Sequence, residues 1–349
     1  MLALTVRPGQ ADSLELSDMP EPQPGPGELL VDAVAVGVCG TDREIADAEY
    51  GWAPAGEDRL ILGHESLGRV RTAPAGSGFA EGDLIVGVVR RPDPKPCGAC
   101  ARGQFDMCRN GEYTERGIKE IHGYASQRWT VEPEYAVKLP TELGEAGVLM
   151  EPTSVVAKAW EQIDRIGGRA WYEPHTVLIT GAGPIGLLAA LLGVQRGLDV
   201  HVLDIVTDGP KPAAVAALGA TYHSEPMDRL TERLNPDVIV EATGVSSLVI
   251  EAISGTAEYG IVCLTGVSVA GRKISVDIGG ANRSMVLEND VVVGSVNANL
   301  SHFQQAADAL TRADRTWLES LITSRSSLQN YAHAFEPDPN GIKHVIDIS

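Results

Sequence analysis

Residues 177–194 read VLITGAGPIGLLAALLGV and form the longest apolar stretch of the chain. Its length alone would allow a membrane span, but the Gly-Ala-Gly-Pro interruption resolves it into a buried strand, a turn and a helix. Gly181, Gly183 and Gly186 form G-x-G-x-x-G directly after the strand and at the start of the helix, which is the context a phosphate-binding turn requires. The first glycine permits the tight turn, the second lets backbone approach a pyrophosphate, and the third lets the helix pack closely on the strand. The helix N-terminus adds free N–H groups and a favourable dipole for negative phosphates. Cofactor contacts are therefore expected from Gly181, Gly183, Pro184, Ile185 and Gly186. Asp204 ends the next strand, VHVLD, where its carboxylate can accept hydrogen bonds from the adenosine ribose and would repel a 2'-phosphate. This predicts NAD as the preferred cofactor, with NADP as the second option. A structural glycine turn beside a solvated aspartate is the competing reading.

The surrounding pattern changes along the chain. Up to about residue 150, short Val/Ile/Leu-rich runs such as LLVDAVAVGV, DLIVGVV and YAVKLP alternate with Pro/Gly/Asp-rich turns, an all-β pattern with few helices. From about residue 175 strands alternate with helices, as in DVHVLD, AAVAALG, DVIVEATG, IVCLTG and DVVVGSVN, which predicts a parallel doubly wound sheet. A chain of 349 residues is long for one core, so two domains are expected. The tail from about residue 300 opens with a helix, SHFQQAADALTRA, and returns to shorter mixed elements.

Composition narrows the partners. With 44% hydrophobic and 21% charged residues the chain is ordinary globular protein, and a net charge of -19 disfavours nucleic acid or an anionic membrane surface. The N-terminus shows no basic head followed by an apolar run, so a cytoplasmic location is expected. In a reducing compartment the five cysteines read as metal ligands or buried apolar residues rather than disulfides. Cys97, Cys100 and Cys108 are spaced C-x2-C-x7-C. Cys39 in VGVCGTD, His64 and Glu65 in LILGHE, and Glu151 in LMEP combine soft, borderline and hard ligands, the kit of a zinc site that keeps one position open. Taken singly, each is an ordinary buried or surface residue. Cys263 in IVCLTG reads as a buried strand residue.

GVCGTD, GHE-x2-G, the cysteine lobe and GAGPIG together resemble the zinc-dependent medium-chain dehydrogenases, and GVCGTDREI, LILGHE, GQFDMCRNGEYTERGI, LMEP and GSVNANLSHFQQA are similar to the archaeal-type glucose dehydrogenases. These segments run in order from about residue 30 to 310. The resemblance implies an α/β protein with a GroES-like, mostly β catalytic domain (1–155 and 301–349) and a Rossmann NAD-binding domain (156–300). It implies a catalytic zinc on Cys39 and His64, with Glu65 and Glu151 as direct or water-mediated ligands. It also implies a proton path through the Thr41 hydroxyl, and further cofactor contacts at Thr243, Val267, Val296 and Asn297. The implied reaction is oxidation of the C1 hydroxyl of an aldose by NAD to an aldonolactone.

Substrate contacts implied by the resemblance fall on Thr41, Glu115, Glu151 and His302. Val89 and Val155 depart from polar positions of some members, and this leaves a polyol, aminocyclitol or other secondary alcohol as the alternative substrate class. A binding protein without chemistry is the reading from another class. Relatives carry a four-cysteine lobe, C-x2-C-x2-C-x7-C, for a structural zinc. Aligned on the x7 gap, the missing first cysteine falls on Pro94, so Asp93 is expected to join Cys97, Cys100 and Cys108, with an empty lobe as the alternative. The resemblance also implies edge-to-edge pairing through the strand in MVLENDVVVGSVN, and with it a homodimer or homotetramer.

Overall fold

The computed structural model describes residues 1–268 and 273–348, which divide into two compact units. The first comprises 1–154, 297–338 and 343–349, and the second 155–296 with 339–342. The chain crosses between them inside the helix Met150–Gly167 and again at Asn297, four residues before the boundary read from the sequence.

In the first unit a seven-stranded sheet is centred on Leu29–Val38. Its neighbours are Glu65–Thr72 on one side and Lys343–Asp347 on the other, both antiparallel to it. The central strand alternates along its first half and is wholly buried from Ala35 to Val38, as a strand covered on both faces must be. Leu29, Val31, Val70, Ile85, Tyr124 and Trp129 interlock in one core of this unit. Pairing sets Gly37 opposite Glu65 and Val38 opposite His344, so one end of three adjacent strands delivers Cys39, Glu65 and Lys343 to the same place.

The second unit is a six-stranded parallel sheet in the order Thr221–His223, Asp199–Leu203, Thr176–Thr180, Val238–Glu241, Ile261–Leu264, Val291–Gly294. Sequence order across the sheet is 3-2-1-4-5-6, the doubly wound arrangement, and its switch point lies beside the first strand. The predicted strand–turn–helix is Thr176–Thr180 followed by the helix Pro184–Gln195. That helix is buried on nearly every side, so its continuous apolar run reflects packing against the parallel sheet and its neighbours. Among the described residues no helix is long and apolar enough to cross a membrane.

Candidate functional site

Strand Leu29–Val38 ends at Cys39, which caps the helix Gly40–Ala46. Asp42 closes the cap by accepting from the Cys39 N–H through Oδ2 at 2.9 Å. The Cys39 Sγ then stands 3.0 Å from His64 Nε2, and with Glu65 these ligand atoms all lie within 4.8 Å of one another. Two ligands on zinc bonds of ~2.0–2.3 Å at a tetrahedral angle sit roughly 3.5 Å apart, so the donor set fits that ion in spacing as well as in chemistry. Glu65 reaches the cluster by crossing Gly37, where a Cβ would lie 1.9 Å from Glu65 Oε2. Only a glycine permits that approach.

The electrostatics are those of a site built for a cation. Burial works against a charged His64, yet the Cys39 sulfur and the Asp42 carboxylate beside it raise its pKa well above the ordinary imidazole value. Burial likewise opposes charge on Asp42, but His64 and the Cys39 N–H hold its carboxyl below the usual range. Glu151 is pushed up to about 7, first by burial and then by Glu65, with His64 pulling the other way. Glu151 thus lies in the field of the cluster but outside the set of three close ligand atoms. Thr41 occupies the first turn of the helix that Cys39 caps.

Two residues of this centre escaped the sequence reading. Asp42 lies 3.3 Å from His64 Nδ1. Lys343, 278 residues from Glu65, donates to its Oε1 at 2.6 Å and is fully buried. The capping spacing of Cys39 and Asp42 could have exposed the first, and a lysine opening the apolar strand KHVID the second.

At the cysteine lobe, Cys97, Cys100 and Cys108 converge, with Cys97 and Cys100 sulfurs 3.7 Å apart. Backbone N–H groups of Cys100, Arg109 and Ala99 lower the Cys97 thiol to about 6, while burial pushes Cys100 up to about 11. Asp93 is buried, and its backbone N–H works against the rise at Cys100. Its Oδ1 accepts from the Lys95 N–H at 2.6 Å, and its Oδ2 has no partner among the described residues. The Asp93 carboxylate itself lies outside the set of ligand atoms within 4.8 Å of one another.

The substrate positions read from the resemblance divide. Glu115 is held by Arg90, whose Nε and Nη2 donate to Oε1 at 3.0 and 2.9 Å. Asn297, expected at the cofactor, donates to the same oxygen at 2.5 Å from a left-handed backbone position. The structure therefore assigns Asn297 a contact within the first unit. His302 is 1% exposed, and its Nδ1 accepts from the Asn299 N–H in the capping box that opens the helix Leu300–Arg312. Val89 is buried and Val155 half-buried.

In the second unit Gly181 has φ +88°, and a Cβ on Gly186 would lie 1.8 Å from the Gly181 carbonyl oxygen, so the first and third glycines of the turn are sterically required. A Cβ on Gly183 would meet nothing within 4 Å, which leaves the second glycine open to an approaching ligand. Gly183 caps the helix Pro184–Gln195 without a side-chain hydrogen bond, which leaves the N–H groups of its first turn available to a phosphate. Asp204 accepts from the Ala182 and Val206 N–H groups at 2.7 and 3.1 Å, and Lys211 lies 3.6 Å away. Thr243 turns back to Glu241. Val267 and Val296 are exposed, and the Val296 carbonyl already accepts from Lys158 Nζ at 2.8 Å. Cys263 is buried in its strand, and burial pushes its thiol up to about 12.

Residues 25–141 match the family described as alcohol dehydrogenase GroES-like domain, and residues 144–348 match glucose dehydrogenase C-terminus. The chain is 41% identical to the glucose 1-dehydrogenase of Methanocella arvoryzae and 39% identical to that of Thermoproteus tenax, covering 100% of this chain and 99% of each relative. Among solved structures it is similar to Haloferax mediterranei glucose dehydrogenase in complex with NADP, Zn and gluconolactone, with a TM-score of 0.92 and 35% identity over 100% of this chain and 99% of that one. A medium-chain dehydrogenase architecture with three converging candidate metal ligands in its GroES-like unit and a glycine turn in its parallel sheet, matched end to end by these relatives, places the chain in the glucose dehydrogenase family.

Proposed function

We propose that the protein oxidises the C1 hydroxyl of an aldose, glucose or a near relative, to the aldonolactone, with zinc and NAD(P) as its cofactors. The observation that carries this reading is the convergence of Cys39 Sγ and His64 Nε2 at 3.0 Å with the Glu65 carboxylate alongside. Cys39, His64 and Glu65 would hold the zinc, with Glu151 as the exchangeable fourth group. When bound, zinc supplies a Lewis acid that lowers the pKa of a hydroxyl, and the nicotinamide supplies the hydride acceptor.

The chain's own residues do the remaining work. Asp42 orients the His64 ring, and Lys343 anchors Glu65. Thr41, on the first helical turn beyond Cys39, supplies the hydroxyl that carries the proton away. Glu115, fixed by Arg90 and Asn297, accepts from a substrate hydroxyl. The turn of Gly181, Gly183 and Gly186 cradles the pyrophosphate and Asp204 meets the ribose, while Lys211 beside Asp204 lessens the repulsion of a 2'-phosphate. Cys97, Cys100 and Cys108, with Asp93 as the fourth ligand, would hold a second, structural zinc.

The strand Val291–Gly294 ends the parallel sheet with one edge open, and Val286 and Leu287 beside it are about two-thirds exposed. A second copy pairing along this edge would bury them, which supports a homodimer or homotetramer. Initial rates with NAD and NADP against glucose, galactose, xylose, sorbitol and inositol test the central claim. Turnover of aldoses is expected; turnover of polyols alone would overturn it.

A further inference from the structure

Two large aromatic side chains lie open to solvent on a segment that hydrogen-bonds to the turn following Glu115. Tyr50 and Trp52 are 41% and 45% exposed, and their rings meet edge to face with centroids 4.9 Å apart. The segment is not a loose loop. Gly51 has φ +99°, and a Cβ there would lie 3.0 Å from the Ile45 side chain, so the chain bends tightly over the helix that Cys39 begins. The Trp52 N–H donates to the Ile118 carbonyl at 2.9 Å, and the Trp52 carbonyl accepts from the Glu120 N–H at 3.0 Å. Ile118 and Glu120 belong to the turn that Glu115 closes by donating its N–H to the Lys119 carbonyl at 2.8 Å. The aromatic pair and the carboxylate therefore share one rigid frame. Burial, and next the Glu115 charge, raise the pKa of the Tyr50 phenol, which keeps it a protonated donor within the field of that carboxylate.

Glu115 is itself oriented in one sense. Arg90 Nε, Arg90 Nη2 and Asn297 Nδ2 all donate to Oε1, and among the described residues none donates to Oε2. Arg90 is clamped in turn by the Tyr113 ring, 3.8 Å below its guanidinium carbon. A charged acceptor with one satisfied and one unengaged oxygen, set next to two exposed rings, is a combination that solvent alone does not explain. A pyranose has that same duality: equatorial hydroxyls around its rim, and axial C–H groups forming an apolar face.

We infer that Tyr50 and Trp52 form the stacking platform for the pyranose ring of the substrate, with an equatorial hydroxyl donating to Glu115 Oε2. The inference rests on the aldose-oxidising reading and adds how the sugar is recognised. An open-chain polyol has no flat C–H face to present, and with the glucose face that carries the axial C2–H and C4–H laid on the rings, the C4 epimer turns its axial hydroxyl onto the aromatic surface. The platform thus selects cyclic sugars with equatorial hydroxyls, through KM rather than through the chemical step.

Steady-state kinetics of Trp52→Ala, Tyr50→Ala and the conservative Trp52→Phe test it, with glucose and its C4 epimer galactose as substrates. Trp52→Ala is expected to raise the KM for glucose roughly tenfold, the scale of one aromatic stacking contact, while kcat and the KM for the nucleotide stay close to wild type. Trp52→Phe should restore most of the affinity, and the preference for glucose over galactose should narrow in Trp52→Ala. A wild-type KM in both alanine variants overturns the platform, as does an equal rise in the KM for the nucleotide. A wild type that oxidises no aldose overturns this inference together with the functional reading, whereas unchanged variants of an active enzyme overturn the platform alone.

Discussion

Asp42 Oδ1 lies 3.3 Å from His64 Nδ1, while Asp42 Oδ2 accepts from the backbone N–H of Cys39 at 2.9 Å. One carboxylate thus fixes the orientation of the imidazole and the backbone of the thiol that flank the metal position. A carboxylate behind a metal-bound histidine also selects the tautomer and strengthens the ligand. Asp42→Asn is expected to weaken binding of the catalytic zinc by about 10–100-fold. Competition with a chromophoric chelator measures this, and wild-type affinity in the variant would show that Asp42 serves only the helix cap.

Lys343 is the counter-charge of Glu65, and both are buried. Removing one member of such a pair leaves the other charge without compensation, which costs about 3–5 kcal/mol. Lys343→Met should lose that much unfolding free energy in urea, and Glu65→Gln combined with Lys343→Met should recover part of it. A single variant as stable as wild type would contradict the pairing.

Asp93 Oδ2 is buried and has no hydrogen-bond partner among the described residues, in the loop whose Cys97, Cys100 and Cys108 converge. A metal ion would supply the partner it lacks. The intact protein is expected to hold two zinc ions per chain by elemental analysis, and Asp93→Ala about one. Two ions retained in the variant would remove Asp93 from the ligand set, and one ion in the wild type would leave the lobe without metal.

His201 Nδ1 and His223 Nε2 are 2.9 Å apart on neighbouring strands of the parallel sheet, with Asp199 and Glu225 at the outer nitrogens. Burial, and then the charge of His201, hold the pKa of His223 below the ordinary 6.5. As pH falls, the unfolded chain binds its proton first, so the folded state is favoured fully above pH 6.5 and loses that contribution as pH drops through 6.5 toward the folded value. His223→Gln should flatten the fall in stability between pH 7.5 and 5 in urea titrations. Parallel curves for the two proteins would count against the pair.

The layout of the second unit was legible because parallel strands buried on both faces leave continuous apolar runs, and because a phosphate turn has to carry its glycines at fixed spacing. The individual ligands Cys39, His64 and Glu65 were legible as residue types. Their partners were less so. Glu115 and His302 stood out only through a resemblance, and nothing in the sequence showed that Arg90 and Asn297 donate to one Glu115 oxygen or that His302 takes part in a helix cap.

Local chemistry therefore determined, from sequence alone, two domains, a dinucleotide turn and a set of metal-binding residue types, since each depends on neighbours within a few positions. Tertiary structure decided which of those residues meet. Antiparallel pairing puts Gly37 opposite Glu65 and Val38 opposite His344, so that strands from residues 29, 65 and 343 end together and a lysine 278 positions away becomes the counter-charge of a candidate ligand. Register of that kind is set by the packing of the whole sheet, and no window of sequence contains it.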